Sequence, residues 1–380
     1  MSTPKAELIG DRQAFAQLIQ RMRGEPVVGV DTEAASFHRY HDRIYLLQLS
    51  SPSHTAVVDP IALGGLDGLG ELLHDPAVEL VFHDADYDLR LLWHEHGLRA
   101  RRLFDTRVAA QFLNEPGIGL ASLLERRFGV VIDKRFQRAD WSIRPLPPGM
   151  ISYAATDTRY LPALRDSLRR DLIQLDRLHW LEEECQLLLG VEWPSPEPSA
   201  TAFLRLKGAR ALDGRGLAVL HELFVWRDQL AARLDRALFR IMGNEVLLAL
   251  AATRPQSMEA LAQVRGIGRD LLPRQGGELV AAIERGLRVP DAALPRFERR
   301  PRPRPNPAFD DRLERLRARR SKLAVRLSLP PGVLCPNATL EAIARRIPRS
   351  LDELCRVQGV RQWQVAAFGA DLIGAVSDVR

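Results

Sequence analysis

The feature that most constrains this chain is an internal repeat in its second half. At an offset of 93 residues, without a gap, Leu230, Ala231, Arg233 and Leu234 match Leu323, Ala324, Arg326 and Leu327. Asn244, Leu247, Ala251, Pro255, Ser257, Leu261, Val264 and Gly266 match Asn337, Leu340, Ala344, Pro348, Ser350, Leu354, Val357 and Gly359. Leu279 and Ala282 match Leu372 and Ala375. The period is far longer than the roughly 20–50 residues of solenoid repeats. It predicts two small helical domains, each with its own core. The matched positions are mainly apolar residues, caps and breakers, so they report a common fold and not a common site.

The first half reads differently. VVGVD (27–31), IYLLQLS (44–50), TAVVD (55–59) and ELVFH (79–83) are short runs rich in Val, Ile and Leu, and predict strands. The first three are close together and joined by polar turns, which suggests adjacent antiparallel strands. ELVFH leads into a helix near Asp84–His96, with Asp84 suited to its N-cap. Asp105 suits the N-cap of the next helix, and Leu120–Phe128 and Ile151–Leu172 predict further helices. Strands followed by alternating strands and helices make an α/β layered domain. Proline-rich breaks at 192–200 and 293–309 complete the organisation. The expected order is an α/β domain over 1–175, a helical and Pro-rich linker over 176–208, and a helical domain over 209–290. An Arg/Pro-rich linker over 291–308 and a second helical domain over 309–380 follow.

Composition narrows the function. The chain has 380 residues, too many for one ordinary core, with 46% hydrophobic and 27% charged residues. No apolar run approaches the roughly 18 residues of a membrane span. The opening MSTPKAELIGDRQAF has no apolar signal core, so no export is expected. Cys185, Cys335 and Cys355 form neither a disulfide framework nor a zinc pattern, and imply a reduced cytoplasmic setting. A net charge of +6 favours an anionic partner. Lys5, Lys134, Lys207 and Lys322 are the only lysines; the other basic residues are arginine, which binds phosphate bidentately.

Three acidic segments carry the chemistry. Asp31 and Glu33 in VVGVDTEAASF stand at positions i and i+2 of a strand, on one face. Tyr153 and Asp157 in ISYAATDTRYL stand four apart on a helix, again on one face. Between them HDADYDL offers Asp84, Asp86 and Asp88, and spacing does not choose among the three. Like charges side by side destabilise an ordinary fold, and a bound cation turns the repulsion into coordination. Oxygen-only donors suit Mg²⁺ or Mn²⁺ rather than zinc.

In order and spacing these segments resemble the three motifs of the DEDD exonuclease superfamily, in its DEDDy branch. The D-x-E strand, the segment His83–Leu89 and the Y-x-x-x-D helix carry the likeness. DKRFQRADWSIRPL (133–146) is similar to the stretch before the last motif in ribonuclease D-like proteins, and the repeated segments resemble HRDC domains. WRDQLAARLDRALFRIMGNEVLLALA (226–251) is the clearer copy, since the second has Arg319 where the first has Trp226. The resemblance implies a ribonuclease H-like α/β exonuclease domain followed by two all-α HRDC-like domains. It selects Asp88 as the third acid. It further implies two divalent cations, with Asp31 bridging both, Glu33 and Asp157 on the first and Asp88 on the second.

The implied activity is hydrolysis of RNA from its 3′ end to nucleoside 5′-monophosphates, with transfer RNA precursors and other 3′-extended stable RNAs as substrates. A tyrosine titrates near pH ~10, too high for a base at neutrality, so Tyr153 is expected to orient the attacking water. Phe37 and His38 could stack on terminal nucleotides, and Lys134, Gln137, Trp141 and Arg144 could contact RNA. Residues 296–304, with five arginines and one glutamate, could follow its backbone. A DNA 3′-exonuclease is the competing enzyme class, because the same metals cleave both polymers and only 2′-hydroxyl contacts separate them. A non-catalytic RNA-binding module would be expected to have lost an acid, and all are present.

Overall fold

The computed structural model describes residues 6–194, 199–268, 271–298 and 306–377. The chain forms two compact units: Met1–Ala34, Ile44–Trp193 and Pro303–Arg380 in one, Ala35–Arg43 and Pro194–Arg302 in the other. The first unit therefore contains the second helical repeat, and the second unit contains the first. Residues 299–305, most of the basic tether, lie outside the described residues.

The first unit is built on one six-stranded sheet. Its strands are β1 (Glu7–Ile9), β2 (Val27–Glu33), β3 (Leu46–Ser50), β4 (Thr55–Val58), β5 (Glu79–Phe82) and β6 (Leu103–Asp105), in the order β1-β4-β3-β2-β5-β6. β2, β3 and β4 are neighbours and antiparallel; a short turn over 51–54 joins β3 to β4, whereas β2 and β3 are joined by the longer segment 34–45 rather than the short turn expected. β5 and β6 join parallel on the far side of β2, and β1 pairs parallel with β4. Every residue of β3 is buried, with the helix Pro148–Arg159 packed against it. The three-residue edge strands β1 and β6 were not legible as strands: neither is long enough to show a period.

Two helix boundaries differ from the sequence expectation. The predicted helix Ile151–Leu172 is two, Pro148–Arg159 and Leu161–Gln174, meeting at Tyr160. Pro162 lacks the N–H that would continue the first into the second. Asp84 is not an N-cap. It lies at φ 70, in the left-handed region, and the helix Asp86–His96 begins after Ala85. Asp105 does the capping from β6. Its carboxylate accepts the N–H groups of Asp84 and Ala85 as well as those of Arg107 and Val108 at its own helix.

The two repeats keep the same internal contacts at the same offset. Arg227 donates to the Met242 carbonyl and to Asn244 Oδ1; Arg320 donates to the Cys335 carbonyl and to Asn337 Oδ1. Ser257 and Ser350 each cap a short helix, and Gly266 and Gly359 each take a positive φ. The mismatch at Trp226 and Arg319 keeps an equivalent contact. Trp226 donates to Glu278 in the first copy, and Arg319 pairs with Asp371 in the second.

The second repeat shares the sheet domain's hydrophobic core. Trp363 stacks on Trp180 at 4.5 Å between centroids, and Phe112 meets both rings edge-on. Glu183 of the helix Leu178–Leu188 accepts the N–H groups of Gln362 and Trp363 at 2.7 and 2.8 Å. It thus supplies the carboxylate that the start of the helix Gln362–Ser377 needs. Glu184 takes Arg361 Nε and Trp363 Nε1. Because these contacts tie repeat and sheet together, Trp363→Ala is expected to lower the stability of the whole unit by roughly 3–5 kcal/mol. Urea unfolding monitored on the sheet domain checks this; an unmoved midpoint there would show that the second repeat unfolds independently.

Candidate active site

The site begins with a glycine. Gly29 shares a face of β2 with Asp31 and Glu33. A Cβ at Gly29 would stand 2.9 Å from the Thr158 carbonyl oxygen and 3.0 Å from Leu161 Cβ. Its absence lets the helix Pro148–Arg159 lie directly on β2, with Ala154 and Ala155 fully buried. Ser50 and Thr158 fix that contact with a 2.7 Å hydroxyl–hydroxyl hydrogen bond. Asp157 is thereby brought over the strand. Ligand oxygens of Asp31, Glu33 and Asp157 all lie within 4.8 Å of one another.

Asp88 arrives differently. β5 pairs with β2 only from Val27 to Gly29, so beyond Gly29 that edge of β2 has no strand partner among the described residues. Asp88, in the first turn of the helix Asp86–His96, accepts the Thr32 N–H at 3.1 Å and the Thr32 hydroxyl. It is the only buried acid of the three that spacing left open. Asp86 pairs with Arg90, and Asp84 with Arg107. Asp88 lies outside the close trio but acts on Asp31 through its charge.

Desolvation dominates the electrostatics. Burial, and then the charges of Asp88, Glu33 and Asp157, hold the Asp31 carboxyl well above its usual range. Burial, followed by Asp157 and Asp88, does the same to Glu33. Burial pushes Asp88 up to about 7 in spite of its bonds from Thr32, and Asp157 up to about 7 in spite of a hydrogen bond from Tyr153. Tyr153 is raised by burial and by the charges of Asp157, Glu33 and Asp31. The charges that act on Asp31 and Glu33 are all carboxylates. This donor set, oxygen-only, convergent and mutually repelling, fits a hard divalent cation.

A cleft of about 410 Å³ is lined by Asp31 and Asp157 of the trio and, among others, by His83, Arg107, Gln137 and Tyr153. His83 hydrogen-bonds Thr106 at 2.9 Å, and burial, with Arg107 beside it, pushes it down to about 4. It is a neutral, packed histidine.

Two expected RNA contacts are corrected. Trp141 is 1% exposed and packs its ring 6.0 Å from Tyr153, so it buttresses the tyrosine and cannot reach RNA. Arg144 spends its guanidinium on Asp59, the Tyr45 carbonyl and its own loop's carbonyls. Gln137 does line the cleft, while the side chain of Lys134 lies outside the described residues. Phe37 and His38 belong to the other unit.

Sequence reasoning missed three neighbours of the site. Thr32 anchors Asp88, and Phe136 meets Tyr153 edge-on at 6.0 Å. Gln48 stands opposite Asp31 in the β2–β3 register, fully buried, and its amide makes no hydrogen bond among the described residues. A polar residue inside an otherwise apolar strand was the available signal for Gln48.

An acidic site drawn from three motifs on a mixed sheet, with paired helical modules following it in the chain, defines a 3′–5′ exonuclease of the HRDC-bearing kind. The family described as 3′-5′ exonuclease matches residues 6–173, and the HRDC domain matches residues 216–283 and 309–376. Ribonuclease D of Gluconacetobacter diazotrophicus is 34% identical over 310 residues, covering 80% of this chain and 78% of the relative. Ribonuclease D of Granulibacter bethesdensis is 33% identical over 375 residues, covering 97% and 92%. The crystal structure of Escherichia coli RNase D shares the fold, with a TM-score of 0.71, 24% identity, and coverage of 98% of this chain and 99% of that one. The chain belongs to the ribonuclease D family, and is a 3′–5′ exoribonuclease.

The raised acids set a pH dependence. An unfolded carboxylate ionises near pH ~4, whereas these folded ones hold their protons longer. The folded state then binds more protons than the unfolded one, so stability falls as pH rises from about 4 through about 7. Asp31→Asn removes one of the repelling charges. In EDTA it is expected to raise the melting temperature by a few degrees at pH ~8 and by much less at pH ~4.5. Equal shifts at both pH values, by calorimetry, would contradict the repulsion.

Proposed function

We propose that this chain trims 3′ extensions from transfer RNA precursors and other stable RNAs in the cytoplasm, releasing nucleoside 5′-monophosphates. The observation that carries the reading is the convergence of ligand oxygens of Asp31, Glu33 and Asp157 within 4.8 Å of one another, with Asp31, Asp157 and Tyr153 lining one cleft. Membership of the ribonuclease D family supports RNA over DNA as the polymer. Among the described residues no helix is long and apolar enough to cross a membrane.

In this reading Asp31, Glu33, Asp88 and Asp157 hold two divalent cations, Mg²⁺ or Mn²⁺. When bound, these lower the pKa of a water and neutralise charge on the scissile phosphate. The chain's own residues do the rest. Asp31 and Glu33 are fixed by strand alternation and Asp157 by the Gly29 contact, so these three acids need little rearrangement to coordinate. Asp88, held by Thr32, braces the strand edge beside Asp31. Tyr153 stays protonated at neutrality, since burial and three carboxylates raise it above its ordinary value. It therefore acts as a donor and orients a water, with Asp157 fixing its hydroxyl and Trp141 and Phe136 its ring. Gln137 faces the same cleft and can contact the RNA end. Phe37 and His38 are the further contacts proposed for the bound strand.

Asp31→Asn or Asp157→Asn should abolish cleavage while RNA still binds. Tyr153→Phe should lose about 10²–10³-fold in kcat, because an oriented water can be recovered only in part. A product time course on a 3′-extended transfer RNA, beside single-stranded DNA of equal length, tests the whole reading. Mononucleotides from RNA alone are expected. Oligonucleotide products, or full activity of Asp31→Asn in Mg²⁺, would overturn it.

A further inference from the structure

The second unit exposes an aromatic pair that its fold does not need. Phe37 is 50% exposed and Phe239 is 58% exposed, and their rings meet edge to face at 6.4 Å. Phe239 lies in the short helix Leu238–Ile241 of the first repeat. The equivalent position of the second repeat, 93 residues on, is Gly332, in a helix of the same length and place. The repeat therefore folds without an aromatic ring there. An exposed phenylalanine that the fold can omit points to a binding role.

The pair is held rigidly. The loop Ala35–Arg43 is tied to the first repeat from several sides. Ala237 donates its N–H to the His38 carbonyl, and Arg240 Nε donates to the Phe37 carbonyl at 2.6 Å. Asp235 accepts the N–H groups of Tyr40 and His41, and the Tyr40 hydroxyl bonds Asp228. The Arg240 guanidinium sits 5.9 Å from the Phe239 ring centre. Arg39 pairs with Asp235, and both Asp228 and Asp235 are engaged in holding the loop, so Arg240 is the guanidinium that stands at the edge of the Phe239 ring.

We propose that Phe239 and Phe37 form a stacking platform for the bases of single-stranded RNA, with Arg240 at its edge for the phosphate backbone. Flat π-faces beside guanidinium groups are what a sequence-tolerant single-strand site requires, because every base offers a π-face and every nucleotide a charge. Phe37 follows the site residue Glu33 by four positions in the chain, so motif and platform are read on one continuous segment. The inference rests on the proposed RNA contact of Phe37 and adds to it a residue from the first HRDC repeat.

The test is binding of a fluorescein-labelled oligoadenylate to the full chain in EDTA, by anisotropy, with mononucleotide release in Mg²⁺ assayed on the same preparations. Phe239→Ala is expected to weaken binding about tenfold and Phe239→Trp to restore it, while Phe239→Leu stays weak because it is apolar without a π-face. Phe239→Ala at wild-type affinity, rescue by leucine, or equal affinity for duplex RNA would overturn the platform. So would a change in oligomeric state with RNA affinity intact, which would mark the face as a contact between copies. If the wild-type chain neither binds nor shortens RNA, the proposed function falls with the platform. If it does both and Phe239→Ala matches it, the platform alone falls.

Discussion

Everything at the acidic site depends on how closely one helix can approach one strand. Gly29 removes the atom that would hold the helix Pro148–Arg159 off β2, and Ala154 and Ala155 keep the helix surface thin. A side chain at Gly29 would collide with the backbone oxygen of Thr158, which cannot move without breaking the helix. Asp157 is the next residue, so any displacement of Thr158 moves a ligand. The two halves of the site lie more than 100 residues apart in sequence, yet their spacing is set by a missing methyl group. Such a contact is stiff, because packed interiors yield little to strain.

The two repeats show how one fold is put to two uses. Their internal arginine, asparagine, serine and glycine contacts agree residue for residue at the same offset. What differs lies outside that frame. The second copy turns the start of its last helix and Trp363 against Glu183 and Trp180, so the sheet domain supplies its cap and part of its core. The first copy keeps a core of its own and packs the loop Ala35–Arg43 instead. One copy is thus absorbed into the body that carries the carboxylates. The other carries the exposed aromatic position that its sibling fills with glycine.

Most of the fold was legible because it follows from periods and repeats. Strands β2 to β5 are apolar runs long enough to read, and the offset of 93 needs no structural input at all. The edge strands were not legible, since three residues carry no period. Asp31, Glu33, Tyr153 and Asp157 could be placed on shared faces by spacing. Asp88 could not be separated from Asp84 and Asp86, because the choice depends on where β5 stops pairing with β2. Trp141 and Arg144 were misread for one reason. Their place just before the third motif suggested contact with RNA, but burial and carbonyl partners decide whether a side chain there faces out. Arg144 meets Asp59 and a ring of carbonyls, contacts that no local pattern announces.

The acids and the fold are in conflict, and the conflict is informative. Burial is the leading cause of the rise at Asp31, Glu33, Asp88 and Asp157 alike, and at Asp31 and Glu33 it stands ahead of repulsion by the neighbouring carboxylates. A chain selected for stability alone would replace at least one of them, since an amide keeps the shape and removes the charge. Thr32 relieves Asp88, and Tyr153 relieves Asp157, but Asp31 receives only the backbone bond from Thr32 and Glu33 has no such relief. The compensation is therefore weakest at the two residues that share the strand face. Those two point at the same space as Asp157, so the place where the fold is least satisfied is the place where added positive charge gains most.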